Sequence, residues 1–363
     1  MFTRRFTRLT IALAIVLTLT LPVLADGPDA VAWFQTQQNT DGGFGSPTST
    51  VGTTADVLIA VAATGDNAIA WSKDGNTPYS YLEANAGSIA GMGDAGRVIL
   101  ALVASGKNPR ELGDIDLVTL LENRIGDDGQ YGTSGMVNDQ AYAMIGLASA
   151  RRTIPSAAVD YLLSKQIEDG TWAWNGDLTA GSGDNNTAAI AVVALIAAGV
   201  PADNPQIAKT VAHFREQQNE DGGFPYIKPS AWGTDSDANS TAVVMWALLA
   251  AGEDPAGDDW KYEGQDGTSA LDKLSAFQNE SGAFRWQDAI ADDNFMATVQ
   301  AVVALEIKSL PFASMDVGET DKVVAVPVTI MPETGASTWG TALVLLSSGL
   351  AFLGAGLRLR KHK

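Results

Sequence analysis

Between residues 27 and 306 the apolar positions fall into short runs of two alternating kinds, both with helical spacing. One kind, A, is amphipathic, as in Val31-Ala32-Trp33-Phe34, Ala158-Val159-x-Tyr161-Leu162-Leu163 and Ile207-Ala208-x-x-Val211-Ala212-x-Phe214. Such spacing predicts a surface helix with one apolar face. The other kind, B, is apolar nearly all round and rich in alanine: TTADVLIAVAATG, DNNTAAIAVVALIAAG, DANSTAVVMWALLAAG and DNFMATVQAVVALE. That pattern predicts a helix packed on several sides. The B copies begin near Thr53, Asp94, Asn138, Asp184, Asp237 and Asp292, mostly at polar residues suited to N-caps. Gly65, Gly106, Gly199 and Gly252 close four of the six. Pro78, Pro155 and Pro205 stand at the expected first position of A helices, where a missing N–H is harmless. No period-two run occurs between 27 and 306, so the reading is all-α with no sheet.

Between each A and B lies a degenerate motif, Gln-x-x-Asp-Gly-x-aromatic. It is clearest as Gln38–Phe44 and Gln218–Phe224, good as Gln166–Trp172 and Gln278–Phe284, half kept as Ile125–Tyr131, and worn as Glu83–Ile89. Asp-Gly stops helix A and turns the chain. The final residues (Phe44, Ile89, Tyr131, Trp172, Phe224, Phe284) are spaced by 45, 42, 41, 52 and 60 residues. A period of that size marks repeats, each too small to bury its own face. Six helical hairpins with small-residue B helices inside and A helices outside predict an α6/α6 toroid over 27–306.

The motif together with the Thr-Ala-rich inner helix resembles the repeats of the terpenoid cyclase and protein prenyltransferase α/α-toroid superfamily, the prenyltransferase/squalene oxidase repeats. The resemblance covers roughly residues 27–306. It implies that Gln38, Gln166, Gln218, Gln278 and their aromatic partners tie neighbouring outer helices together. It specifies fold far more than activity.

The two ends speak to location. Residues 1–25 read as a signal peptide: Arg4, Arg5 and Arg8, an apolar run from Ile11 to Leu21, then Val23-Leu24-Ala25. An uncleaved anchor is the alternative. At the other end Met331-Pro332-Glu333-Thr334-Gly335 precedes an apolar stretch over 338–357 and a basic tail over 358–363. This order resembles an LPxTG sorting signal with Met in the first position, and the resemblance implies a sortase cut between Thr334 and Gly335. The stretch is long enough to span a bilayer as a transmembrane helix, and a plain membrane anchor is the alternative. Residues 307–330 carry no repeat and read as a stalk. The expectation is an exported protein anchored at its C-terminus to the cell wall or the outer face of the membrane, with sortase and wall or membrane as partners at that end.

The chain has no cysteine, which removes disulfides and thiolate metal sites. Its formal charge is −19, and seven of its 23 cations lie in the two end segments, where no acid does. The remainder carries 16 cations against 42 acids, a net of −26. That balance argues against nucleic acid and anionic lipid.

The same resemblance supplies two chemistries to test. Prenyltransferase zinc needs Asp, Cys and His; here the histidines are His213, on an outer helix, and His362, in the tail. Class II triterpene cyclases protonate a polyprene with the middle acid of Asp-x-Asp-Asp-Thr-Ala. The nearest matches are Asp237-Ala238-Asn239-Ser240-Thr241-Ala242 and Gly183-Asp184-Asn185-Asn186-Thr187-Ala188, with Asn239 and Asn185 at the acid position. An amide has no proton of the required acidity.

Topology puts every A–B loop at one mouth of the toroid. The long loops of repeats 4 to 6 carry Trp172, Trp174, Asp177, Tyr226, Trp232, Asp235, Asp237, Asn239, Trp286 and Asp293, taken together as a candidate ligand site. The competing reading of the acids and amides is as N-caps, and of the aromatics as a plug for the barrel end. Asp235-x-Asp237-x-Asn239 resembles the opening of an EF-hand loop, but Ser240 and Trp246 occupy the glycine and glutamate positions, leaving only a looser Ca2+ site and otherwise no cofactor. The first functional reading is a non-catalytic surface module that binds a small molecule, glycan or surface protein. The second is an enzyme, terpenoid-cyclase-like or glycan-cleaving, with Asp237 and Asp292 as candidate acids. A structural spacer or adhesin is the third.

Overall fold

A computed structural model of the chain describes residues 25–318 except 232 and 263–266. The signal segment over 1–24, Trp232, the sorting motif with Thr334 and Gly335, and the apolar stretch over 338–357 lie outside the described residues. Among the described residues no helix is long and apolar enough to cross a membrane. Contacts separate Met1–Val317 from Gly318–Lys363, and the fold described is that of the first unit.

Twelve α-helices are described: α1 Gly27–Gln37, α2 Val51–Ala63, α3 Pro78–Asn85, α4 Met92–Ala104, α5 Leu117–Glu122, α6 Val137–Ser149, α7 Ser156–Ser164, α8 Asn185–Ala197, α9 Pro205–Gln217, α10 Ala238–Ala250, α11 Ala270–Ala276 and α12 Phe295–Leu305. The even-numbered helices pack in order, α2 on α4, α4 on α6, and so on to α12, which returns to α2. They form a closed inner ring. The odd-numbered helices sit outside, in the seams between successive inner ones. This is the six-hairpin arrangement that the repeat predicts.

The inner ring is the core. On α8 and α10 nearly every residue from the first turn onward is buried, because alanine and β-branched side chains let each helix touch neighbours on three sides. The tightest approach is α4 on α6. A Cβ on Gly96 would stand 2.1 Å from the Tyr142 carbonyl oxygen, and one on Gly146 would stand 2.5 Å from that of Gly96.

The motif is the joint between repeats. In five copies its glycine (Gly42, Gly129, Gly170, Gly222, Gly282) has φ between 85° and 89°. Each also abuts backbone of the next outer helix or its cap: Thr77, Ala157, Lys209, Ser269 and, for Gly282, Asp29 of α1. Only glycine meets both demands. The Gln amide donates to the carbonyl of its own glycine and to backbone of the next repeat. Gln166 Nε2 reaches Gln206 O at 2.9 Å, Gln218 Nε2 reaches Trp260 O at 2.8 Å, and Gln278 Nε2 reaches Asp26 O at 2.9 Å. Phe44, Phe224 and Phe284 each donate their backbone N–H to a threonine of the inner helix, Thr54, Thr241 and Thr298.

Several local expectations are corrected. The inner helices start at Thr50, Gly91, Met136, Asp184, Asp237 and Asn294, two or three residues from the expected start in four cases, and Gly91 and Met136 provide no side-chain cap. Pro155 is the N-cap of α7, one position before the helix proper. The worn second copy forms a 3-10 turn, Ala86–Ser88, in place of the glycine turn. A sheet does occur: β1 Arg285–Gln287 and β2 Ile290–Asp293 make a small antiparallel hairpin in the sixth loop. Its strands are too short to show a period in sequence. The stalk expected from 307 does not leave the ring there. Lys308 Nζ bonds Ala63 O, Met315 N donates to Ser149 O at 2.8 Å and Arg110 Nε to Val317 O at 3.2 Å, so this segment straps the closed, C-terminal end of the ring.

Candidate functional site

At the open end, the first two turns of the inner helices define a mouth. Helix phase sends positions N2 and N6 toward the ring centre. At N6 these are Asp56, Arg97, Tyr142, Ile190, Val243 and Gln300; at N2 they are Gly52, Gly93, Asn138, Asn186, Asn239 and Met296. Cross-ring contacts confirm the register. Arg97 Nε lies 3.6 Å from Asp56 Oδ1, its guanidinium stacks 4.1 Å above the Tyr142 ring, and Asn239 Nδ2 donates to Gln300 Oε1 at 2.8 Å.

One turn deeper the same faces carry Ile59, Leu100, Ile145, Val193, Trp246 and Val303, each no more than 4 % exposed. Side chains lining a water-sized cavity would keep accessible surface. These keep almost none, so the ring centre is packed shut beneath the mouth. Two shallow depressions, about 280 and 390 Å³, lie away from the ring centre, one by Asp41 and Lys73 and one by Ile154 and Val200.

The mouth has two unlike sides. The α2–α4 side is charged. Asp56 is pushed up to about 6 by burial, against the pull of Arg97, which also bonds Asp94 at 3.1 Å. The α6–α8–α10 side presents Asn138, Asn186 and Asn239, and the Oδ1 atoms of Asn138 and Asn186 have no hydrogen-bond partner. Above them stand aromatic residues two positions after each motif aromatic: Trp174, Tyr226 and Trp286. Trp174 O accepts from Val137 N at 2.9 Å and Tyr226 O from Asn185 N at 3.0 Å, so each is held over the first turn of the preceding inner helix. Tyr226 also bonds Asp184, and Trp286 bonds Asp237.

The expected site residues divide accordingly. Trp174, Tyr226, Asn239 and Trp286 reach the mouth. Trp172 does not: it is fully buried and its indole donates to Leu162 O at 2.8 Å, so it is core. Asp237 is buried, 3 % exposed, and caps α10 through Ser240 N at 2.7 Å and Ser240 Oγ at 2.8 Å. Burial raises its carboxyl to about 6. Asp177 is exposed and closes its own loop on Thr179; Asp293 does the same with Asn279 and Ser281. Asp235 and Asp292 are exposed. Among the described residues no group of three or more His, Asp or Glu is placed to hold a metal ion. His213 shares a 2.9 Å hydrogen bond with Asn185, and burial lowers its pKa.

The structure also shifts one alignment. Asp184 and Asp237 are equivalent N-caps, so the counterpart of Asn239 is Asn186 rather than Asn185. Asn185 turns outward to Pro225 O, at 2.8 Å. Asp56, Arg97, Asn138, Asn186 and Gln300 were not marked by sequence. Their signal, a polar residue on one phase of an apolar helix, is legible only once the N-caps are fixed.

The fold is terpenoid-cyclase-like. Residues 134–297 match the model of the squalene-hopene cyclase C-terminal domain. The squalene–hopene cyclase of Zymomonas mobilis subsp. mobilis is 34 % identical over 146 residues, which cover 36 % of this chain and 21 % of that protein. The chain thus spans about a fifth of that curated relative. A type II terpene cyclase, MstE from Scytonema, solved with geranylgeranyl dihydroxybenzoate, superposes with a TM-score of 0.55 at 17 % identity, covering 77 % of this chain and 95 % of that one. A wild-type glycosidase superposes nearly as well, with a TM-score of 0.52 at 12 % identity, covering 78 % and 96 %. Together these support the terpenoid cyclase superfamily, and the spread of chemistries on one fold leaves activity to the site.

Proposed function

We propose that the protein is a non-catalytic binding module whose ligand or partner is engaged at the mouth of the ring. The observation that carries this reading is where apolar surface is exposed. Among the described residues the exposed large hydrophobics are Trp174, Leu178, Tyr226, Met296 and Ile307; Trp174, Tyr226 and Met296 belong to the mouth, and Leu178 lies in the same loop as Trp174. Clustered apolar exposure next to polar groups marks an interaction surface. Two features argue against polyprene cyclisation. Asn239 and Asn186 stand at the position where a cyclase places its acid, and the ring centre offers no space for a polyprene. The sequence pattern of the two ends supports export and C-terminal anchoring. Release of the protein from cells by a sortase knockout would check the anchoring. Native mass spectrometry of the exported protein is the test of binding. A co-purified mass retained by wild type and lost in Trp174→Ala supports the reading; a ligand insensitive to every mouth substitution sinks it.

A divergent enzyme on the same fold, cyclase-like or glycan-cleaving, is the second reading. Asp56 favours it: an acid on the ring's inner face that burial pushes up to about 6 lies nearer the range in which a carboxyl can exchange a proton with a substrate. The cyclases and the glycosidase that the chain resembles are also enzymes. Turnover of polyprene or glycan substrates that disappears in Asp56→Asn would replace the first reading with this one.

A further inference from the structure

We propose that the α6–α8–α10 side of the mouth binds a neutral glycan chain, an inference that rests on the binding reading above. The same two-part unit recurs there three times. An asparagine at N2 of the inner helix (Asn138, Asn186) lies beneath an aromatic from the following loop (Trp174, Tyr226), and a third pair is Asn239, whose amide is held by Gln300, with Trp286, which bonds the α10 cap Asp237. The pairing is set by backbone, since Trp174 O and Tyr226 O cap the first N–H groups of the helices bearing Asn138 and Asn186.

Each part answers a different face of a sugar ring. An aromatic ring offers a flat apolar surface for the C–H face, and Trp174 and Tyr226 are 42 % and 49 % exposed. An amide is an uncharged donor and acceptor, matched to hydroxyl groups. The Oδ1 atoms of Asn138 and Asn186 accept no hydrogen bond from the protein, and a rotation of either side chain would offer them to a ligand hydroxyl. Neighbouring helix axes stand roughly 8–10 Å apart, so the units form a stepped row commensurate with linked disaccharides rather than a single pocket.

Charge selects among glycans. Arg97 stands at the α4–α6 edge of this side, stacked on Tyr142, with its charge held by Asp56 and Asp94. The protein between its end segments is strongly acidic. An anionic glycan would meet net repulsion, because the nearby loop cations are engaged, Arg285 by Asp288 and Lys228 by Gln218 O and Asn219. A protein partner fits less well, because interface cores are continuous and apolar, whereas here each ring alternates with an amide.

The test is titration of the full exported chain with neutral hexasaccharides (cellohexaose, maltohexaose and a mannohexaose) and with a hexagalacturonate as the anionic comparator, read by tryptophan fluorescence. A neutral hexamer should bind and the anionic one should not. Trp174→Ala and the double variant Asn138→Ala/Asn186→Ala should each weaken binding at least about tenfold with unchanged Tm, since neither side chain supports the fold. Preference for the anionic hexamer, or capture of a protein in a Trp174-dependent way without neutral-glycan binding, overturns the glycan assignment and leaves the mouth as a binding surface. No affinity tighter than about 1 mM for any neutral hexamer, together with no Trp174-dependent ligand of any class, overturns both.

Discussion

Gln140 illustrates how one side chain can take over a lost motif. In the third repeat the motif glutamine is replaced by Ile125. Gln140, from inner helix α6, donates instead to Gly129 O at 3.0 Å and to Ala158 O of the next repeat at 3.2 Å, and accepts from Tyr131 N at 2.8 Å. It is 1 % exposed, so truncation would strand three backbone groups out of water. Gln140→Ala should cost about 3 kcal/mol, measured by chemical denaturation; a cost near zero would show that Gln140 is not the joint. A second residue-scale prediction concerns helix ends. All six inner helices end in a left-handed residue, but only four use glycine; Arg151 and Ile307 adopt φ 53° and 51°. Ile307 is β-branched and 45 % exposed, so its strain is poorly repaid. Ile307→Gly should raise stability by roughly 1 kcal/mol, seen as a higher Tm. The glutamines and glycines of the good motif copies were legible in sequence. Gln140 was not, because its role depends on which helix face meets the next repeat.

At the scale of elements, the N-caps of the inner helices set what the mouth displays. Asp237 fixes the phase of α10 so that Asn239 faces inward, and Asp184 does the same for Asn186. The cap carries a pH signature. Burial lifts Asp237 from 3.8 to about 6, so the folded protein holds this proton more tightly than the unfolded chain. The associated stability is present in full below about pH 4 and is lost as pH rises through about 6. Asn caps a helix as well as Asp and carries no charge. Asp237→Asn should therefore gain on wild type by roughly 3 kcal/mol between about pH 4 and pH 8. Denaturation at the two pH values checks this, and an equal difference at both would place the proton elsewhere. The long loops of repeats 4 to 6 were visible as wider spacings. Their contents are legible only in part: Trp172 reads as a ligand aromatic but is core, because a motif aromatic and a loop aromatic two residues later are indistinguishable until burial separates them.

For the whole molecule, closure is the decisive event. Gln278 of the last repeat bonds Asp26 at both N and O, each at 2.9 Å, and Gly282 abuts Asp29. The first and last hairpins are thereby joined across nearly the full length of the ring. Gln278→Ala should loosen α1 and α12 together, with a loss of about 1–3 kcal/mol and faster amide exchange in both helices. Exchange enhanced in α12 alone would mean that the ring does not depend on this joint. Periodicity, the Asp-Gly turns and the alanine-rich helices determined the repeat, its number and the inside–outside order, since these follow from local backbone preference and from which faces must be buried. Tertiary structure alone decided that the ring centre is packed shut, that the strap of 308–317 crosses the closed end, and that three asparagines and three aromatics share one side of the mouth. Those outcomes depend on helix phase and on how far apart neighbouring helices stand, quantities set by packing between distant residues rather than by any stretch of chain.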